Sequence, residues 1–230
     1  MSIALFAFVA PAVIEVSVAP PAETAQAIRL ALMLTFLAVI PGLMICMTSF
    51  VRIIIVLSMI RHAFGMPETP PNQVLISLAL FMTLLSMGPA FTQINDSALQ
   101  PFIAGKLPLQ TAIERGTQPL RTFMLRQVQD RDLETVYAIS RKPLPAAADQ
   151  VGLMQLTPAF MLNELRVAFK IGFVILLPFL MIDLVVSSIL LALGMIMVPP
   201  STISLPVKLL MFVLIDGWSL ILEGVLGGFR

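Results

Sequence analysis

Runs of apolar residues dominate the chain, and a bilayer-spanning helix, about 20 mostly apolar residues long, serves as a ruler for them. Four segments reach that length. The first extends from Ala27 to Ile60, charge-free from Leu30 to Val51 but interrupted at Pro41-Gly42. The second runs from Asn72 to Gln93, with Pro70-Pro71 ending what precedes it and Asn72 placed to cap it. The third, Pro158 to Val198, is long for one span, and the fourth runs from Thr202 to Phe229. Only Pro199-Pro200-Ser201 separates these two, which predicts an antiparallel hairpin turning on Pro199 and Pro200.

The 62 residues from Asp96 to Thr157 break the pattern, because they hold 13 of the chain's 27 charges. Within them Leu120, Phe123, Met124 and Val128 follow helical spacing. Asp130 is placed to cap a short helix carrying Leu133, Val136 and Tyr137. So small a segment has too little apolar surface to fold strongly alone, which predicts that it packs on neighbours or on other copies. Arg141 to Gly152, with Pro143, Pro145 and three alanines, reads as a flexible return loop. The expected fold class is all-α: an N-terminal segment over 1–26, a first hydrophobic helical hairpin over 27–95, a polar helical insertion over 96–157 and a second hydrophobic hairpin over 158–230.

Composition agrees with the ruler. Of 230 residues 58% are hydrophobic and 12% charged, with a mean hydropathy of +0.98; soluble domains carry about 25% charge. These values describe an integral membrane protein. Its 14 basic and 13 acidic residues nearly cancel, so no global field points to nucleic acid. Cys46 and His62, the only residues of their kinds, can form neither an intrachain disulfide nor a metal site between them. They read as a packed thiol and a polar residue at a helix end. No phosphate-binding glycine loop, HExxH or Gly-x-Ser-x-Gly elbow is present, so neither catalysis nor a cofactor is expected.

The apolar start, SIALFAFVA, and the small-x-small triplet Ser17-Val18-Ala19 resemble a secretory signal. No lysine or arginine precedes that core, and Pro11 and Glu15 interrupt it, so cleavage and retention both stand. Cleavage would put the insertion outside the cytoplasm, whereas its seven lysines and arginines weakly favour the inside.

Arg52, Asp183, Lys208 and Asp216 interrupt apolar runs, where a charge costs at least about 2.5 kcal/mol in lipid. They need partners or water. Asp183 and Asp216 each lie 16 residues from the nearer proline of the turn, so a hairpin symmetric about Pro199-Pro200 would set them face to face. Two carboxylates so placed cannot both ionise cheaply, which suggests an intramembrane aspartyl protease as an alternative; Leu214-Ile215 before Asp216 fits that class poorly. Neutralisation by Lys208 and Arg52 is the plainer reading, and a small-ion channel is a third.

Met195 and Met197 stand just before the double proline, where the helix must end, so their side chains should project from a turn. Methionine is flexible and polarizable and re-packs around different partners, although 15 methionines in the chain also suit ordinary core filling. Three long stretches here resemble the FliP/SctR family of type III export-gate proteins, its flagellar branch in particular. They are MTSFVRIIIVLSMIRHAFGMPETPPNQVL (Met47 to Leu75), ELRVAFKIGFVILLPFLMIDLVV (Glu164 to Val186) and GMIMVPPSTISLPVKLLMFVLIDGW (Gly194 to Trp218), joined by FTQINDSALQPF (Phe91 to Phe102). The likeness spans about Leu30 to Leu226.

The resemblance implies a homo-oligomer of five copies that assembles with FliQ and FliR into a helical cone around an export channel. FlhB and FlhA of the export apparatus are the further partners implied, and unfolded flagellar export substrates the cargo. The site would be the bacterial inner membrane at the flagellar basal body, with the insertion extracytoplasmic and the hairpins lifted largely out of the bilayer plane. Arg52, Glu164, Asp183, Lys208 and Asp216 become candidates for assembly ion pairs. Met195, Ile196 and Met197 fall at the channel's narrowest part, with Ile196 standing where many relatives have a third methionine.

Overall fold

The computed structural model describes residues 21–66, 68–145 and 147–229; Ala19 and the cleavage question lie outside the described residues. Every regular element among these residues is helical, in keeping with the all-α expectation. In chain order they are α1 (Pro21–Cys46), α2 (Phe50–Ala63), α3 (Asn72–Ser86), α4 (Gly88–Ile94), a π turn (Asn95–Leu99) and α5 (Gln100–Ile103). There follow α6 (Leu109–Gln127), α7 (Asp130–Ile139), a short 3-10 turn (Ala148–Gln150), α8 (Leu153–Ala192), α9 (Pro200–Leu214), α10 (Gly217–Leu226) and a closing 3-10 turn (Gly227–Phe229).

Among the described residues two helices are long and apolar enough to cross a membrane, Ala25–Cys46 and Leu153–Ala192. The other two expected spans pass only as bent pairs: Asn72–Ser86 with Gly88–Ile103 at 70°, and Pro200–Leu214 with Gly217–Phe229 at 68°. Both bends fall at dipeptides that break helices, Gly88-Pro89 and Asp216-Gly217. The break expected at Pro41-Gly42 does not form, since α1 continues through Pro41 to Cys46. Proline removes one backbone donor, and neighbouring turns of a membrane-type helix absorb that loss. The chain leaves the helix at residues 47–49 instead, where the Thr48 hydroxyl donates to the Ile45 carbonyl at 2.9 Å.

Neither predicted capping residue caps. Asn72 and Asp130 are the first helical residues, after Pro71 and Gln129, and neither N-cap side chain bonds the backbone. Asn72 instead accepts a hydrogen bond from Arg61, across the connection between α2 and α3.

α2 is the centre of the larger core. Ile53, Val56, Leu57 and Ile60 recur at three- and four-residue steps and are all but fully buried. Leu75, Ala79 and Met82 of α3, Ile221 and Val225 of α10, and Ala168 and Phe179 of α8 close around them. Each large aliphatic side chain so buried contributes about 1.5–3 kcal/mol. α8 approaches α2 at Gly172, where any Cβ would overlap the Met59 side chain. An aromatic cluster seals one end, with Phe64 edge-on to Phe179 and Phe212 at ring-centroid separations of 5.2 and 5.1 Å.

α8 has 40 residues, about 60 Å at 1.5 Å per residue, twice the hydrocarbon thickness of a bilayer. Its first part serves a second core: Leu156, Ala159 and Phe160 pack with Met124 of α6 and with Leu133 and Tyr137 of α7. The polar insertion, expected to need outside apolar surface, takes it from this end of α8. Arg121 of α6 ties down the return loop by donating to the Val151 carbonyl at 2.8 Å.

Candidate functional site

The turn between α8 and α9 is built by its backbone. Gly194 has φ +73, and its N–H donates to the Leu191 carbonyl at 3.0 Å while that of Met195 donates to Leu190 at 2.9 Å. This paired bonding satisfies two carbonyls that the end of a helix leaves open, and it calls for a left-handed residue at the second position past the helix. Glycine takes that conformation freely. Met195 is pulled back toward the helix end and is 45% exposed, whereas Ile196 and Met197 are 80% and 95% exposed. Pro199 and Pro200 then start α9, with Pro200 as its first helical residue. The tip is therefore three apolar side chains on a short tether, two of them nearly bare. Gly194→Val should cost about 1–2 kcal/mol of left-handed strain. The expected readout is a fall of roughly 2–8 °C in unfolding temperature in detergent, with faster proteolysis at the tip.

Register across the hairpin differs from the ruler estimate. α8 ends at Ala192, so the chain folds back near Ile196 and not at the prolines. Asp183 consequently lies opposite Lys208, with Nζ–Oδ2 2.7 Å, and also accepts the Ser204 hydroxyl at 2.6 Å. Asp216 sits farther along, exposed at the bend between α9 and α10, and accepts the Ser219 hydroxyl at 2.7 Å. Its φ of +49 is one that aspartate tolerates better than most residues. The two aspartates thus have separate partners, and the facing pair expected from symmetry about the prolines is corrected.

Lys208 has a second bond that no sequence pattern announces. Its ammonium donates to the Ala63 carbonyl at 2.9 Å, which is the last residue of α2. A cation on the open carbonyls of a helix C-terminus also meets the negative end of the helix dipole. One buried lysine therefore locks α9 to both α8 and α2.

At the other end of α2, Arg52 and Glu164 of α8 form a two-pronged pair, with Nε–Oε2 2.8 Å and side chains 1% and 0% exposed. The Arg52 guanidinium also reaches Gln127 of α6 at 3.4 Å and lies 3.8 Å over the Phe229 ring. A planar guanidinium is suited to hold a carboxylate edge-on while an aromatic face covers it. The knot joins α2, α6, α8 and the closing turn.

Sequence reasoning singled out Arg52 and Glu164 separately and missed Gln127 and Phe229, which are unremarkable in type. It also missed the pair of Arg166 with Asp132, where both terminal guanidinium nitrogens meet the carboxylate, at 2.7 and 2.6 Å. Arg166 stands two residues from Glu164, and such neighbours point to different faces of a helix. One clamps α8 to α2 and the other clamps it to α7. Among the described residues no group of three or more His, Cys, Asp or Glu is arranged to hold a metal ion.

Comparison with known proteins is consistent throughout. The model of the FliP family matches residues 33–225. A flagellar biosynthetic protein FliP of Pectobacterium carotovorum subsp. carotovorum is 49% identical over 197 residues, covering 86% of this chain and 76% of that relative. The protein of the same name from Bacillus subtilis (strain 168) is 43% identical over 209 residues, covering 91% of this chain and 95% of the relative. A third, from Caulobacter vibrioides, is 44% identical over 207 residues, with coverages of 90% and 78%.

Proposed function

The chain belongs to the FliP family, and on that premise we propose that it is a component of the flagellar export apparatus and, within it, a pore-forming subunit of the protein export gate. The observation that carries the gate reading is the hairpin tip. Ile196 and Met197 stand almost entirely bare beside Met195, on a turn whose backbone is held by the end of α8. An apolar group with no cover in its own chain is matched by the same group on other copies around an axis. Five such tips would close a bore against water and ions, and flexible thioethers would yield to many different unfolded chains. Ile196, branched at Cβ, makes the plug stiffer than an all-methionine one.

Assembly is supported by the outer face of α8, where Phe169, Phe173, Leu180 and Leu184 are each more than half exposed. An apolar surface this long is covered by lipid or by other protein. In this reading FliQ, FliR and further copies of the chain supply that cover in the inner membrane, with the insertion on the periplasmic side and FlhB and FlhA alongside. The two ion pairs close within one chain, so their part in assembly is to hold each subunit in the shape that its neighbours require. The conduit is passive and needs energy from its partners.

The test is Met195→Ala with Met197→Ala, made together in cells that build the apparatus. Ion leak across the membrane should rise several-fold while the complex still assembles. An unchanged leak in an assembled complex would count against the plug.

A further inference from the structure

A trough of about 700 Å³ lies between α8 and the pair α9 and α10, and its two ends differ in chemistry. Its walls are apolar, among them Val174, Pro178, Phe212, Leu220 and Ile221. One mouth is cationic, with Arg131 at the start of α7 and Arg166 and Lys170 on α8. No acidic side chain lines it. Arg166 is committed to Asp132, whereas Arg131 and Lys170 are exposed and their side chains have no hydrogen-bond or ion-pair partner among the described residues.

We propose that this trough binds one anionic diacyl phospholipid, its phosphate between Arg131 and Lys170 and its tails along α10 toward Pro178 and Phe212. The volume has room for two acyl chains. From Lys170 to Pro178 the trough follows eight residues of α8, about 12 Å. Two acyl chains, each about 4–5 Å wide at van der Waals contact, need roughly 400 Å³ together. The charge arrangement favours a lipid as well, since an apolar slot with cations at a single mouth matches a molecule with one anionic head and long tails. Basic pockets between membrane helices hold anionic headgroups in the same manner. This site stands independently of the export reading.

Gly224 gives a clean handle. It lines the trough, and a Cβ built there meets nothing within 4 Å, so Gly224→Leu fills the slot without disturbing the core. The experiment is native mass spectrometry of the full chain in detergent, with phosphatidylglycerol or phosphatidylcholine added. The wild-type chain should retain phosphatidylglycerol in preference. Arg131→Gln with Lys170→Gln should lower that retention about 30-fold, the combined share of two cations at ordinary lipid-surface strength. Gly224→Leu should abolish retention of both lipids at an unchanged unfolding temperature. Equal retention of the two lipids by the wild type, or wild-type retention by both variants, would overturn the proposal. So would a photo-reactive residue at Leu220 that cross-links to a second copy of the chain and not to lipid.

Discussion

Replacing Glu164 by alanine is expected to lower the unfolding temperature of the purified chain in detergent by roughly 6–20 °C, the largest effect of any single substitution considered. The variant leaves the Arg52 guanidinium 1% exposed, with Gln127 at 3.4 Å and the face of Phe229 as its remaining neighbours. Removing one partner of a buried pair costs about 3–5 kcal/mol, because the other charge stays where water cannot reach it. In a chain of this size each kcal/mol moves the transition by about 2–4 °C. The control is the double change Arg52→Met with Glu164→Leu, which removes both charges and should recover most of the loss, since an apolar replacement of a whole buried pair is often neutral. Measurement of the monodisperse fraction against temperature decides it. A single variant as stable as the wild type would show that the pair does not hold α2 to α8.

Lys208→Met should be the second most damaging change, and it should exceed Asp183→Asn. Asparagine at 183 keeps one acceptor oxygen, enough for Lys208, and loses the one that Ser204 meets, but Asp183 is 37% exposed, so water helps to satisfy what remains. Methionine at 208 leaves the Ala63 carbonyl without its donor inside the core, a loss of about 1–3 kcal/mol for that group alone. The same geometry reverses the rescue that a simple ion pair would predict. Exchanging the charges, Asp183→Lys with Lys208→Asp, puts at 208 a short side chain that can only accept, so the Ala63 carbonyl still loses its donor. The swapped chain should therefore melt no higher than Lys208→Met alone. Restoration to the wild-type value would mean that the carbonyl contact contributes little.

Both predictions rest on residues that were visible in the sequence as charges out of place, and their partners show where that visibility stops. Arg52, Lys208 and Asp183 stand out because a charge inside an apolar run needs an explanation. Glu164 stands out through the family stretch that contains it. The Ala63 carbonyl belongs to a backbone that every residue has, and Phe229 and Gln127 are ordinary side chains until the fold lays them beside a guanidinium. The bends at Gly88-Pro89 and Asp216-Gly217 were missed, and both segments were read as unbroken, because hydropathy summed over a window hides a single helix-breaking dipeptide. Pro41-Gly42 carried the same kind of signal and did not break α1.

Hydrophobic pattern determined that the chain is helical and membrane-type and where its polar insertion lies, and Pro199-Pro200 determined that the last two apolar segments form a hairpin, because period, length and helix breakers are local properties. The long motifs determined the family. Tertiary structure decided the register of the hairpin, and with it that Asp183 meets Lys208 and not Asp216. It also decided that one helix serves two cores. Those outcomes depend on where α8 stops and on how closely Gly172 lets it approach Met59. Such facts come from packing between distant segments, which no residue's own neighbours in the chain specify.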